Sequence, residues 1–301
     1  VGLFQTNSGT IKNLNLDANI TVGGSGQKVK IALLCGENNG TIEFCDVVGN
    51  INSTAKSNST GNASVGLIIG NNKKTLRYCT GHGNVTGVGY VGGLVGSMGT
   101  ILEGSTQGHI KGCYFTGNVT ANNSSSIKYE GLDLQSFGGG ICGFALSPAK
   151  IELCVAEAVI VAGANVGGVS TTGYAISVWN YSTVNNNYCT GTVIKNGVSS
   201  AIDSNDEIVD VAFKITIFGS TPPDYDENNY CSETPASVVE ALNQAKNDNN
   251  FYFAVINGKV VLIVGEEHTD TPTVICEAPT GLTVTAGENG TFNVSWSVNN
   301  Q

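Results

Sequence analysis

Apolar and polar positions alternate with a period of two in short runs, and the runs recur along the first two-thirds of the chain. The unit is a small–apolar–apolar–Gly phrase, a polar turn, a Thr/Ile start, then an alternating run ending in Gly-Asn-Val/Ile-Thr. VGGLVG at 91–96, SMGT, and HIKGCYFTGNVT at 109–120 spell it out. Related copies occupy 1–21, 31–52, 65–86, 90–120 and 137–161, with a worn copy at 166–193. The phrase ends at Gln5, Gly36, Gly70, Gly96, Gly143 and Thr171, so the steps are 31, 34, 26, 47 and 28 residues. Period-two alternation between Gly and Asn punctuation predicts short strands. A repeat in the twenties to forties predicts a solenoid or a propeller, and two or three strands per unit favour the solenoid. The expected fold is all-β: a parallel β-solenoid, a right-handed β-helix of about six coils. Its corners are expected at the glycines, where φ > 0 or close backbone approach is needed.

Two columns test the register. Phe4, Cys35, Ile69, Val95 and Cys142 fall at one repeat position, all apolar and suited to an inward ladder. Leu14, Cys45, Cys79, Cys113 and Cys154 form a second column, two residues after a charged one made of Lys12, Glu43, Arg77, Lys111 and Glu152. Strict alternation would put the charged and cysteine columns on one face. A kink at Asn13, Phe44, Tyr78, Gly112 and Leu153 would remove the conflict.

GLVG within VGGLVG, with CYFTGNVT downstream, resembles the GLUG repeat of large bacterial surface proteins, including adhesin-like proteins and the non-catalytic parts of IgA-cleaving metallopeptidases. The resemblance covers about residues 1–195. It implies an extracellular or bacterial cell-surface location and a scaffold or binding role, with no activity attached.

The chain has 301 residues, nine cysteines and a net charge of −10, with one arginine, Arg77. Sparse, acidic charge excludes a nucleic-acid partner, which needs a basic footprint. No run approaches the roughly 18 apolar residues of a transmembrane helix. Cys45, Cys79, Cys113 and Cys154 read as a structural ladder of small buried hydrophobes. Cys231 and Cys276 lie outside it and could pair. HExxH is absent, the histidines are scattered at His82, His109 and His268, and no phosphate loop or nucleophile elbow occurs. No catalytic residue is assigned and no enzyme activity is read. Loop acids Asp203, Asp206, Asp224 and Asp226 are the weak basis of one alternative, a carbohydrate-active enzyme. The abundant NVT and NIT triplets read as part of the repeat and not as glycosylation sites.

Beyond the repeats, Asp203, Asn205, Glu207 and Asp210 suggest a calcium ion as the one conceivable cofactor. Positions six and twelve of an EF-hand loop would be Ile208 and Lys214, which breaks that pattern. Tyr174, Trp179 and Tyr181 sit in an irregular excursion and are the candidate ligand-binding aromatics. Detours at 53–64, 121–136 and 171–183 are expected on one flank. TPASVVEALNQAKN at 234–247 predicts a helix, and FYFAVINGKVVLI at 251–263 a hairpin turning at Asn257-Gly258. Together they suggest a cap over the last coil. Residues 278–301 resemble the opening strands of a fibronectin type III domain, cut short. The expected division is 1–232 solenoid, 233–264 cap, 265–277 linker and 278–301 truncated fibronectin-like module. The expected role is an adhesin or binding scaffold for a host or matrix glycan or protein. The other alternative is a stalk or filament subunit that binds copies of itself.

Overall fold

The computed structural model describes residues 1–57, 63–98, 107–123, 128–129, 132–133, 136–146, 148–163, 165–173, 183–203, 209–213, 228–231, 233–265, 280–286 and 292–297. The chain divides into two units, Val1–Glu266 and Glu267–Gln301. In the second, Thr280–Ala286 and Phe292–Ser297 pair antiparallel, with a register shift between Thr280 and Thr283.

The first unit is mostly β. Among the described residues, successive repeats add strands side by side to four sheets. Sheet one takes Phe4–Asn7, Cys35–Asn38, Ile69–Asn72, Val95–Met98, Cys142–Leu146, Ser170–Gly173 and Val209–Phe213, in that order. Sheet two takes Thr10–Lys12, Thr41–Glu43, Thr75–Arg77, His109–Lys111, Lys150–Glu152 and Thr183–Asn185. Sheet three, the long one, takes Asn15–Val22, Asp46–Ser53, Thr80–Val88, Tyr114–Asn122, Val155–Ala162 and Tyr188–Lys195. Sheet four takes Lys30–Ile31, Ser64–Gly66, Tyr90–Gly92, Phe137–Gly139 and Asn165–Gly167. Every one of these neighbours is parallel. Each full repeat therefore gives four strands where the sequence suggested two or three. The extra ones are two or three residues long, too short to display alternation.

The Phe4 column is in register: Phe4 pairs with Cys35, Cys35 with Ile69, Ile69 with Val95, and Val95 with Cys142. The core follows from this stacking. Ile42, Leu76, Ile110 and Ile151 from sheet two, and Ile51, Val85, Val119 and Ile160 from sheet three, are all buried in one cluster with Cys35, Ile69, Val95 and Cys142, whereas Phe4, in the first repeat, is 40% exposed. Each repeat alone would leave that face wet; the next repeat covers it.

The kink is real and has a simple form. Asn13, Phe44, Tyr78, Gly112, Leu153 and Asn186 all have φ between 53° and 58°. One left-handed residue turns the chain between sheets two and three and resets the alternation. The charged column then faces out while Cys45, Cys79, Cys113 and Cys154 face in and are buried. Each thiol donates to the carbonyl two residues back, at 3.1 to 3.3 Å, bridging the corner. In the sixth repeat Asn187 takes this place: its Nδ2 donates to the Asn185 carbonyl at 3.0 Å, and its Oδ1 accepts from the Cys154 N–H at 2.9 Å. Burial pushes the Cys79 and Cys154 thiols well above their usual range. A second amide ladder, Asn7, Asn38 and Asn72, runs through the buried turn between sheets one and two at 2.8 Å per link.

Glycines serve two distinct purposes. Gly66, Gly92 and Gly139 keep ordinary φ; there the backbones of sheets four and one fold so closely together that a Cβ would strike main-chain atoms. Gly49, Gly83, Gly117 and Gly191 have φ of 128° to 148°, and a Cβ on each would fall on the carbonyl oxygen of the layer beneath.

The helix and hairpin do not sit where a cap was expected. The long sheet is closed instead by Val198–Ala201, which turns back at Asn196-Gly197 and pairs antiparallel with Tyr188–Lys195. The helix α1, Pro235–Ala245, and the hairpin Phe251–Ile256/Lys259–Val264 pack on the flank instead. Their Val238, Leu242, Phe251, Phe253, Val260 and Leu262 meet Tyr78, Tyr114, Leu153, Val155 and Tyr188. The reason lies in the left-handed corner, which turns aromatic side chains outward and leaves an apolar stripe that must be covered. Gly112 makes a socket in that stripe: a Cβ there would lie 3.1 Å from the Phe251 ring. Asp248 completes the dock, accepting from Lys111 Nζ at 2.5 Å and from the Tyr78 hydroxyl at 3.1 Å. It neutralises a junction where Arg77 and Lys111 are neighbours in sheet two.

Gly83→Ala is expected to cost about 1–3 kcal/mol or more, because a strained φ and a backbone clash coincide. Gly23→Ala, where a Cβ would meet only the Thr54 hydroxyl at an ordinary 3.5 Å, should stay within about 0.5 kcal/mol. Urea melts of the two variants check this, and equal effects would contradict the stacking. Phe251→Ala is expected to cost about 3–5 kcal/mol locally. Hydrogen exchange should then speed up in residues 235–264 and stay slow in sheet one.

Candidate binding face

The sequence-predicted site residues are not gathered into a site. Tyr174, Trp179 and Tyr181 lie outside the described residues, as do Asn205 and Glu207 of the calcium candidate. Of its other two members, Asp203 is exposed and Asp210 belongs to strand Val209–Phe213, opposite Thr171. Among the described residues no three His, Cys, Asp or Glu side chains are grouped to hold a metal. Asp206, Asp224, Asp226 and Cys276 also fall outside, so neither the acid-pair reading nor the Cys231–Cys276 pairing is tested. Residues 58–62 of the detour at 53–64, and most of that at 171–183, lie outside as well. The four ladder cysteines are where the repeat put them, in the core.

What the fold does present is the outer face of sheet three. Parallel sheets are ordinarily covered on both faces. Here one column of outward residues, including Tyr114, Val155 and Tyr188, lies under the hairpin. The remaining outward columns are left exposed or half-exposed. The nearest runs Asp17, Val48, His82, Thr116, Glu157, Thr190. The next runs Asn19, Asn50, Asn84, Asn118 and then Val159 and Thr192. The third carries Thr21, Asn52, Thr86 and Thr120.

The asparagine column is a continuous ladder. Asn50, Asn84 and Asn118 each donate Nδ2 to the Oδ1 of the preceding rung at 2.7 Å. The Asn50 and Asn84 backbone N–H groups donate to the same oxygens, at 2.9 and 3.1 Å. The glycine before each of Asn50, Asn84 and Asn118 supplies the backbone geometry that sets the rungs in line. These amides include those of the NVT triplets, so the triplets are spent on the ladder. Beside it, His82 Nε2 lies 3.7 Å from Asp46, which also accepts from the Thr80 hydroxyl. The His82 ring meets Tyr114 edge-on at 5.7 Å. Lys259 of the hairpin pairs with Glu157, walling the face on one side. The face is polar, with Val48 and Val159 as its exposed large apolar residues.

Two acidic side chains elsewhere are tied down. Burial would raise Glu37, but hydrogen bonds from Lys30 and Lys73 outweigh it and hold its pKa at about 2. Glu152 is likewise held at about 2 by His109 and Lys150 against burial.

No protein-family model matches the chain, and no curated protein matches it. Among solved structures, a "putative immunoglobulin A1 protease" from Bacteroides ovatus is similar over 87% of this chain and 86% of that one. The identity is 15% and the TM-score 0.42. A likeness that distant speaks to neither activity nor ligand.

Both carboxylates are depressed from 4.5, so their contribution to stability is whole above pH 4.5 and is lost as pH falls towards 2. Acid titration of the unfolding free energy should show that decline. Glu37→Gln should flatten it; an unchanged slope in that variant would contradict the assignment.

Proposed function

We propose that the stacked sheets wind as a β-solenoid of the GLUG-repeat kind, and that the chain is a non-catalytic binding scaffold on the surface of a bacterium, recognising a host or matrix glycan or protein. One observation carries this reading: much of the outer face of a parallel sheet is left in solvent, and its asparagine column is held in an ordered ladder. A rigid scaffold that presents a pre-ordered polar surface loses little entropy on binding. The separate hairpin of Thr280–Ala286 and Phe292–Ser297 is read as the start of a fibronectin-like module, in keeping with a modular surface protein. The GLUG resemblance rests on the sequence phrase, and the surface location rests on that resemblance.

A mixed array of glycans and extracellular-matrix proteins probed with the 301-residue chain tests the reading. Retention on at least one class is expected. Silence across the array, with concentration-dependent polymers in solution, would replace it with the structural stalk.

A further inference from the structure

We infer that the asparagine ladder of sheet three is a docking track for a neutral, extended polysaccharide lying along the stack. The inference rests on the binding-scaffold reading and narrows it to one ligand class. Three features of the face lead there.

The first is donor surplus. An asparagine amide has two N–H donors and one carbonyl oxygen. Along the ladder one N–H of each of Asn50, Asn84 and Asn118 goes to the neighbouring Oδ1, and the Oδ1 atoms of Asn19 and Asn50 each receive two donors. The second N–H of each amide has no acceptor among the described residues. The result is a row of donors spaced one layer apart, ~4.8 Å. An extended sugar chain offers hydroxyl and ring oxygens at intervals of the same order.

The second is charge. Asp17, Asp46 and Glu157 lie beside the track, Glu157 paired with Lys259, and the chain carries a net charge of −10. An anionic polymer would be repelled, whereas a neutral one needs no counter-charge.

The third is shape. The described residues of the face repeat the same outward columns from layer to layer. Weak contacts repeated from layer to layer suit a long ligand, whose successive units bind with high effective concentration.

The fold itself supplies a harmless way to remove the donors. The same column carries Val159 and Thr192 in the fifth and sixth repeats, so valine fits the position. The test is co-sedimentation of the full chain with insoluble neutral polysaccharides (cellulose, chitin, xylan) and retardation in gels loaded with anionic ones (pectate, hyaluronan). A matrix-protein panel runs in parallel. Wild type should bind at least one neutral polymer and no anionic one. The double variant Asn84→Val/Asn118→Val should bind at least tenfold more weakly, with its thermal midpoint close to wild type. Thr116→Arg, which leaves the ladder intact but places bulk over the track, should weaken binding too. Lys12→Ala, on sheet two, should not. Undiminished binding by both face variants, or preference for the anionic polymers, would overturn the track. Wild type that binds a matrix protein and no polysaccharide would overturn the track and keep the scaffold; wild type that binds nothing would remove both.

Discussion

Backbone hydrogen bonding between equivalent residues of successive repeats is the constraint on which everything else here depends. A strand that pairs in parallel with the copy above and the copy below puts like residues over like. Apolar positions then become continuous seams: the Cys35 column, the thiol column and the isoleucines of sheet two are one core seen at different heights. Polar positions become ladders for the same reason. A buried asparagine is costly alone, but Asn7, Asn38 and Asn72 satisfy one another and the turn carbonyls around them. The register also dictates the glycines, because a carbonyl of one layer lies where a side chain of the next would begin.

The left-handed corner turns that register into a shape. A single residue at φ near 55° sends charge outward and sulfur inward. It also projects Phe44, Tyr78 and Leu153 from the side of the stack, where the helix and hairpin cover them. Gly112 is the exception in the column, and the Phe251 ring occupies the room it leaves. The C-terminal segment is therefore a lateral strap that spans several layers. With the strap over one edge of sheet three, the rest of that sheet's outer face stays open, and the candidate binding face is defined by what the strap does not reach.

Much of this was legible in the sequence because the repeat repeats its physics. The in-register column through Cys35 and Ile69, the conflict between the charged and thiol columns, and the positions of the kink were all readable from spacing alone. Strand number was not, since a two-residue strand such as Lys30–Ile31 has no periodicity to detect. The strap's position was hidden too: spacing marks Phe44 and Tyr78 as kink residues but carries no sign of the hairpin that covers them. Asn187, heir to the thiol column, was masked by the cysteine two residues later, which belongs to a different column opposite Ala156. The ladder of Asn19, Asn50, Asn84 and Asn118 was visible as a recurrent triplet. Its role was not, because only layer stacking brings residues more than thirty positions apart within 2.7 Å of one another.

Dipolar spectroscopy on paired spin labels measures the stacking most directly. Labels at Asp17 and Thr190 are separated by five layers, and labels at Val48 and Thr190 by four. Parallel, in-register stacking predicts backbone separations of ~24 Å and ~19 Å, a difference of one layer, ~4.8 Å. Equal distances for the two pairs, or a Val48–Thr190 separation longer than the Asp17–Thr190 one, would contradict it.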